Sequence, residues 1–164
     1  MARRFAAVAI LTLLARGALA DPIYVASTAP FSHPETMSPN VVGKCGMPKR
    51  QIDALVAAAR GAGIELVVSD EAAAAGKGAV LVIQIANAVE EADGYGGRQV
   101  ALLGKLVRDG AVVGTFYARR TTQKGFWSGY RTACSGLNHC QDVLGTDIVP
   151  WLRNPTSNAR LGER

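Results

Sequence analysis

The stretch RQVALLGKLVRDGAVVGTFYARRT, residues 98–121, decides the fold. Two runs rich in Val, Leu, Phe and Tyr flank Asp109-Gly110, the pattern of a β-hairpin. In the first run, Arg98 to Val107, the side chains of Val100, Leu102 and Leu106 fall on one face. The second run is Ala111 to Thr121. A two-residue loop at Asp109-Gly110 would pair even positions with odd ones and set Arg119 beside Val100 on the apolar face. A three-residue loop of Arg108, Asp109 and Gly110 pairs even with even. It stacks Val112 by Leu106, Phe116 by Leu102 and Ala118 by Val100. One residue of slip inverts a whole face, so the pattern favours the longer loop. That hairpin type places a left-handed Gly third, which predicts positive φ at Gly110.

Working outward, Ala79 to Val89 alternates as a strand, with Leu81, Ile83, Ile85 and Val89 on one face. Ile64 to Ser69 and Ile23 to Ala26 read as two shorter strands. Asp70 to Gly78 is an Ala- and Gly-rich loop, and Ala92 to Gly97 a turn. A loop marked by Pro30, Pro34 and Pro39 precedes a first helix that starts near Pro48, a good first-turn residue. Its stripe is Ile52, Leu55, Val56 and Ala59, and Gly61 and Gly63 cap its end. A second helix from about Gly136 to Arg153 carries Leu137, Cys140, Leu144, Ile148, Trp151 and Leu152 on one face, with Pro150 in its last turn. The order predicts an α+β protein: a two-layer sandwich, a mostly antiparallel sheet of four to five strands with two helices on one face. Residues 21–155 form one domain, and 156–164 form a frayed C-terminal tail.

The chain begins with Arg3-Arg4, an uncharged apolar run from Phe5 to Ala15, and Ala18-Leu19-Ala20. This is the order of a cleaved signal peptide, residues 1–20, with cleavage after Ala20. The run is about half of the roughly 20 residues needed to span a bilayer. Of the 18 basic residues, Arg3, Arg4 and Arg16 leave with the leader, and none of the 13 acidic ones do. The mature chain keeps 15 basic against 13 acidic, a net of +2. A nucleic-acid partner therefore loses its electrostatic support. The expected location is periplasmic or secreted, with no stable membrane insertion after cleavage.

Cys45, Cys134 and Cys140 reach an oxidising compartment, where a disulfide is the default. Six residues along a helix rise about 9 Å, and a disulfide spans about 4.4–6.8 Å between Cα atoms. A local Cys134–Cys140 bridge therefore requires Cys134 to sit just before the helix, with Ser135 as a cap. Cys45–Cys134 and Cys45–Cys140 are the alternatives. His139 beside Cys140 matches no paired zinc-ligand spacing, so no metal is expected. There is no Cys-x-x-Cys, no G-x-S-x-G and no phosphate loop opening a helix. No catalytic residue and no cofactor are assigned.

Cys134-x5-Cys140, the run Leu144-Gly145-Thr146-Asp147-Ile148, Trp151-Leu152 and the Asp109-Gly110 hairpin together resemble small exported bacterial proteins of unassigned function. The element order is similar to the compact α+β domain of several envelope proteins. Among them are the N-terminal domain of the Tol-system propeller protein, lipoprotein activators of cell-wall synthases and auxiliary lipoproteins of ABC transporters. The chain departs from the lipoproteins in lacking their anchoring Cys. The resemblance implies partner binding in the envelope and carries no catalytic residues across.

In a meander, one sheet end gathers Glu90, Glu91 and Asp93 with Arg98, Arg119 and Arg120. The neighbouring turn and loop add Tyr95, Lys124, Phe126, Trp127 and Tyr130. Arg and aromatic residues together are what interface hot spots use. The candidate site is Arg98, Arg119, Arg120, Phe126, Trp127 and Tyr130. The expected function is a non-catalytic binding module for an envelope protein or glycan. The alternatives are an enzyme of unrecognised type and a structural, oligomer-forming envelope protein.

Overall fold

The structure, a computed structural model, describes residues 21–90, 97–122 and 132–162. Four helices, α1 (Pro39–Lys44), α2 (Met47–Gly61), α3 (Asp70–Ala75) and α4 (Ala133–Arg153), accompany six strands among these residues. The strands are β1 (Ile23–Val25), β2 (Leu66–Val68), β3 (Ala79–Val89), β4 (Arg98–Arg108), β5 (Ala111–Thr122) and β6 (Ala159–Leu161). They form one mixed sheet in the order β2-β1-β3-β4-β5-β6. The long strands β3, β4 and β5 pair antiparallel, while β1–β2, β1–β3 and β5–β6 pair parallel. The mostly antiparallel sheet of four to five strands thus becomes a six-stranded mixed one, and two helices become four.

Two of the additions have local causes. Asp70 to Gly78 is no loop: Ser69 accepts from the Ala72 amide as an N-cap, and Gly76 ends α3 at positive φ. Ser38 caps α1 in the same way, ahead of Pro39. The tail expected to fray contributes β6. Thr156 accepts hydrogen bonds from the Trp151 indole and the Thr115 amide, and Thr115 in turn accepts from the Asn158 amide.

At the end of α2 the Gly63 amide bonds to the Arg60 carbonyl and the Ile64 amide to the Ala59 carbonyl, with Gly63 at φ 71°. Gly63 makes the expected left-handed cap, whereas Gly61 is the last residue of the helix itself.

The central hairpin corrects the predicted register. Gly110 has φ 82°, as expected, but Asp109 is also left-handed at 47°. The loop has two residues, with Arg108 opposite Ala111. A bulge at Val113 then shifts the register, so that Leu106 faces Gly114, Gly104 faces Phe116 and Leu102 faces Ala118. The extra residue restores the even-with-even pairing that the apolar pattern demanded, offset by two residues. Two glycines explain the offset. The Phe116 ring lies over Gly104, where a Cβ would come 2.2 Å from the ring. Gly114 leaves room for Trp151, which meets Phe116 edge to face at 4.8 Å. A second bulge at Ala86 turns Ala88 to the buried side in place of Val89.

The core lies between one face of the sheet and α2 with α4. Leu81, Ile83, Ile85, Val100, Leu102, Leu106, Phe116 and Ala118 meet Ile52, Leu55 and Ala59 of α2. From α4 come Leu137, Leu144, Ile148, Trp151 and Leu152. The helices approach closely at Gly145, where a Cβ would lie 2.9 Å from the Ala54 carbonyl oxygen. The buried Gln141 side chain donates to the Met47 carbonyl, and Arg153 to that of Ala62. The two parallel crossovers run in opposite directions along the sheet, β1 to β2 and then β2 past β1 to β3. Right-handed connections therefore put α3 on the face opposite α2. Beyond α3, that face of β3, β4 and β5 has no helix over it among the described residues.

Candidate functional site

The register assigns each arginine of the expected site to a side. Arg98 pairs with Thr122, Val100 with Arg120, and Ala101 with Arg119. Val100 is buried beneath the helices, so Arg98 and Arg120 share the helix side and Arg119 faces away. The sheet brings two of the three together and separates the third. Phe126, Trp127 and Tyr130 lie outside the described residues, as do Glu91, Asp93, Tyr95 and Lys124.

Arg120 has a structural task. Its Nε donates to Asp147 Oδ2 at 2.6 Å and its Nη2 to Oδ1 at 2.7 Å. The fork-to-fork pair clips α4 to β5, with both side chains more than two-thirds covered. The hydrogen bonds to Asp147 raise the guanidinium pKa still further. Gly162, at φ 74°, brings the tail across this pair, where a Cβ would press on the Arg119 carbonyl and Asp147. The Arg98 stem packs on Gly136 at the start of α4, in space a Cβ would fill. Glu90 accepts a hydrogen bond from Asn40 of α1.

The disulfide differs from the expected local pair. Cys45, at the end of α1, bonds to Cys134, with Cα atoms 5.2 Å apart. Helix α4 starts one residue before Cys134: Thr132 is the cap, and it and Ser135 exchange side-chain-to-backbone hydrogen bonds as a capping box. Cys134 and Cys140 therefore both lie inside one helix, where the rise of about 9 Å prevents a bridge. Cys140 is free and buried, with its thiol toward the Arg98 carbonyl at 3.5 Å. Burial raises its pKa, which keeps it a neutral thiol. His139 beside it is exposed.

The side of the sheet away from α2 and α4 has a different character. Val82, Leu103 and Val112 are 37%, 44% and 54% exposed. By alternation Lys105, Tyr117 and Arg119 share that side, and Arg160 pairs with Tyr117, its guanidinium 4.8 Å from the ring centre. No carboxylate projects from this side of β3 to β6. A cavity of about 780 Å³ opens at the opposite sheet end from the arginines, beside β1 and α3. Sequence reasoning missed the bare face because it kept only the apolar residues of the buried side. The signal was present in Lys105, Tyr117 and Arg119 at alternating positions.

No family model and no curated protein matches the sequence. Among the solved structures similar to this chain, two are described. One is a PelC dodecamer from Paraburkholderia phytofirmans, at 17% identity over 79% of this chain and 87% of that one, with a TM-score of 0.49. The other is a DUF330-family protein from Xanthomonas campestris, at 15% identity over 79% of this chain and 82% of that one, with a TM-score of 0.56. The second likeness is one of fold, and at such identity of fold alone; the first falls short of carrying even that.

Proposed function

We propose that this is an exported, non-catalytic envelope protein that binds a partner through the bare face of its sheet. The composition of that face carries the reading. Val82, Leu103 and Val112 offer apolar area, and the charges among them, Lys105, Arg119 and Arg160, are all cations. Such a surface fits an acidic protein or glycan: the apolar groups supply contact, and the cations steer the encounter and set its salt dependence. Arg119 extends the face toward the end of β5, where Phe126, Trp127 and Tyr130 follow in the sequence. The Arg–aromatic end is thus part of the same proposal. The titratable groups near it favour binding over catalysis, since Arg120 is committed to Asp147 and Cys140 is held neutral by burial.

Export rests on the leader and on Cys45–Cys134, because disulfides persist in oxidising compartments. In a Gram-negative source that compartment is the periplasm, with the chain released after Ala20. No helix among the described residues is long and apolar enough to cross a membrane.

A second reading, an oligomer-forming envelope protein, is favoured by the same exposed apolar residues, which another copy would cover. Like charges on the bare face oppose a two-fold, face-to-face pairing, so copies would meet head to tail. The edge strands β2 and β6 have three residues each and offer little template for edge pairing. A pull-down from envelope extracts, run beside light scattering, tests both readings. Leu103→Glu, at an exposed position, should abolish capture while leaving the melting curve in place. Unchanged capture would sink the binding reading. A multiple of the monomer mass that Leu103→Glu returns to one chain would select the second.

A further inference from the structure

We infer that the cavity beside α3 is a binding site for a short oligopeptide with both termini free. The cavity, about 780 Å³, lies within the range of small-molecule sites. Its wall is Tyr24 of β1 with Ala72 and Ala75 of α3, an aromatic ring and two methyl groups. Tyr24 lies between Ile23 and Val25, which are buried under α2, so it points to the α3 side. The charges are divided along this wall. Glu71 stands in the first turn of α3, near the end of β1 where Asp70 accepts from the Ser27 amide. Lys77 follows the last turn of α3, and Arg108 pairs with Ala79 at the start of β3. None of these three side chains has an ionic partner among the described residues.

Charge and length select the ligand. A polyanion would meet Glu71 and a polycation would meet Lys77 and Arg108, whereas a zwitterion satisfies both ends. Six helical residues rise on the order of 9 Å. An extended chain covers about 3.3–3.6 Å per residue, so the span fits about three residues. The ligand ammonium lies at Glu71, its carboxylate at Lys77 and Arg108, and its side chains against Tyr24. Asp21 and Asp109 also border the cationic end. Release of the leader after Ala20 would place the new α-ammonium of Asp21 there, leaving a surplus of positive charge. Leu103, the test position of the bare face, is outside the cavity lining, so either proposal can fail without the other.

Calorimetric titration of the exported, purified protein with tri-alanine tests the inference, with N-acetyl-tri-alanine and tri-alanine amide as probes of each end. Blocking either terminus should weaken binding about tenfold or more, the scale of one lost charge-assisted hydrogen bond. Glu71→Gln should remove the preference for the free ammonium and keep that for the carboxylate; Arg108→Gln should do the reverse. Both residues are exposed, so the variants keep the fold. No binding at millimolar tri-alanine overturns the inference. So does equal binding of the free and blocked peptides, or variants that leave both preferences intact.

Discussion

Leu102 and Leu103 are neighbours on β4, yet one is fully buried and the other 44% exposed. The two sides of β3, β4 and β5 differ in the same way along much of their length, although Val80 and Ala101 on the second side are also buried. The helix side is fixed by shape: Gly104 takes the Phe116 ring, Gly114 admits Trp151, and Gly145 lets α4 touch the α2 backbone. The bare side is fixed by charge, with cations and an Arg160–Tyr117 stack among exposed apolar residues. The contrast teaches that the same period-2 strand encodes stability on one side and, on our proposal, recognition on the other.

The largest effect should come from the link that holds the start of α4 on the covered side. Replacing Cys45 and Cys134 with Ser opens a loop with a sequence separation of 89. Loss of such a closure costs about 2–5 kcal/mol. Urea melts should fall accordingly, and the wild type in reductant should match the variant. Cys140→Ser should keep the reductant sensitivity; if it abolishes it, the pairing is wrong. Next, Leu102→Ala should cost about 2–5 kcal/mol against about 0.5 kcal/mol or less for Leu103→Ala. Equal losses would break the contrast between the two sides.

Gly145→Ala should destabilise by about 1–3 kcal/mol, because the Ala54 carbonyl is backbone and cannot step aside. Asp147→Asn removes the charge from the clip and should cost about 1–2 kcal/mol, seen as a lower midpoint at unchanged slope. The smallest effect is in pH. Cys140 has its folded pKa raised by burial, so its contribution is whole below the ordinary thiol range and is lost as pH rises through the folded value. Melts taken with rising alkaline pH should fall more steeply in the wild type than in Cys140→Ala. Parallel curves would show that the thiol is not so enclosed.

Much of the architecture was legible in the residues because burial leaves a period. The ends of β3 agree with the alternation, β4 and β5 to within one residue, and the buried stripes of α2 and α4 follow from spacing of three and four. Helices α1 and α3, six residues each, leave too short a periodic signal to separate from Pro- or Ala-rich loops. In the expected site, alternation fixed only that Arg119 and Arg120 oppose each other. It could not say that Asp147, 27 residues further on, would claim Arg120.

By itself, then, the sequence determined which faces are apolar and where the hairpin turns. Those properties are local, set by steric limits on φ and by the transfer of apolar groups from water. Only the tertiary structure decided the partner of Cys134, the two bulges, the docking of the tail as β6 and the division of the arginines between the sides. Each depends on residues far apart in the chain that meet only when the helices close on the sheet. Volume at Gly104, Gly114 and Gly145 decides where they can close.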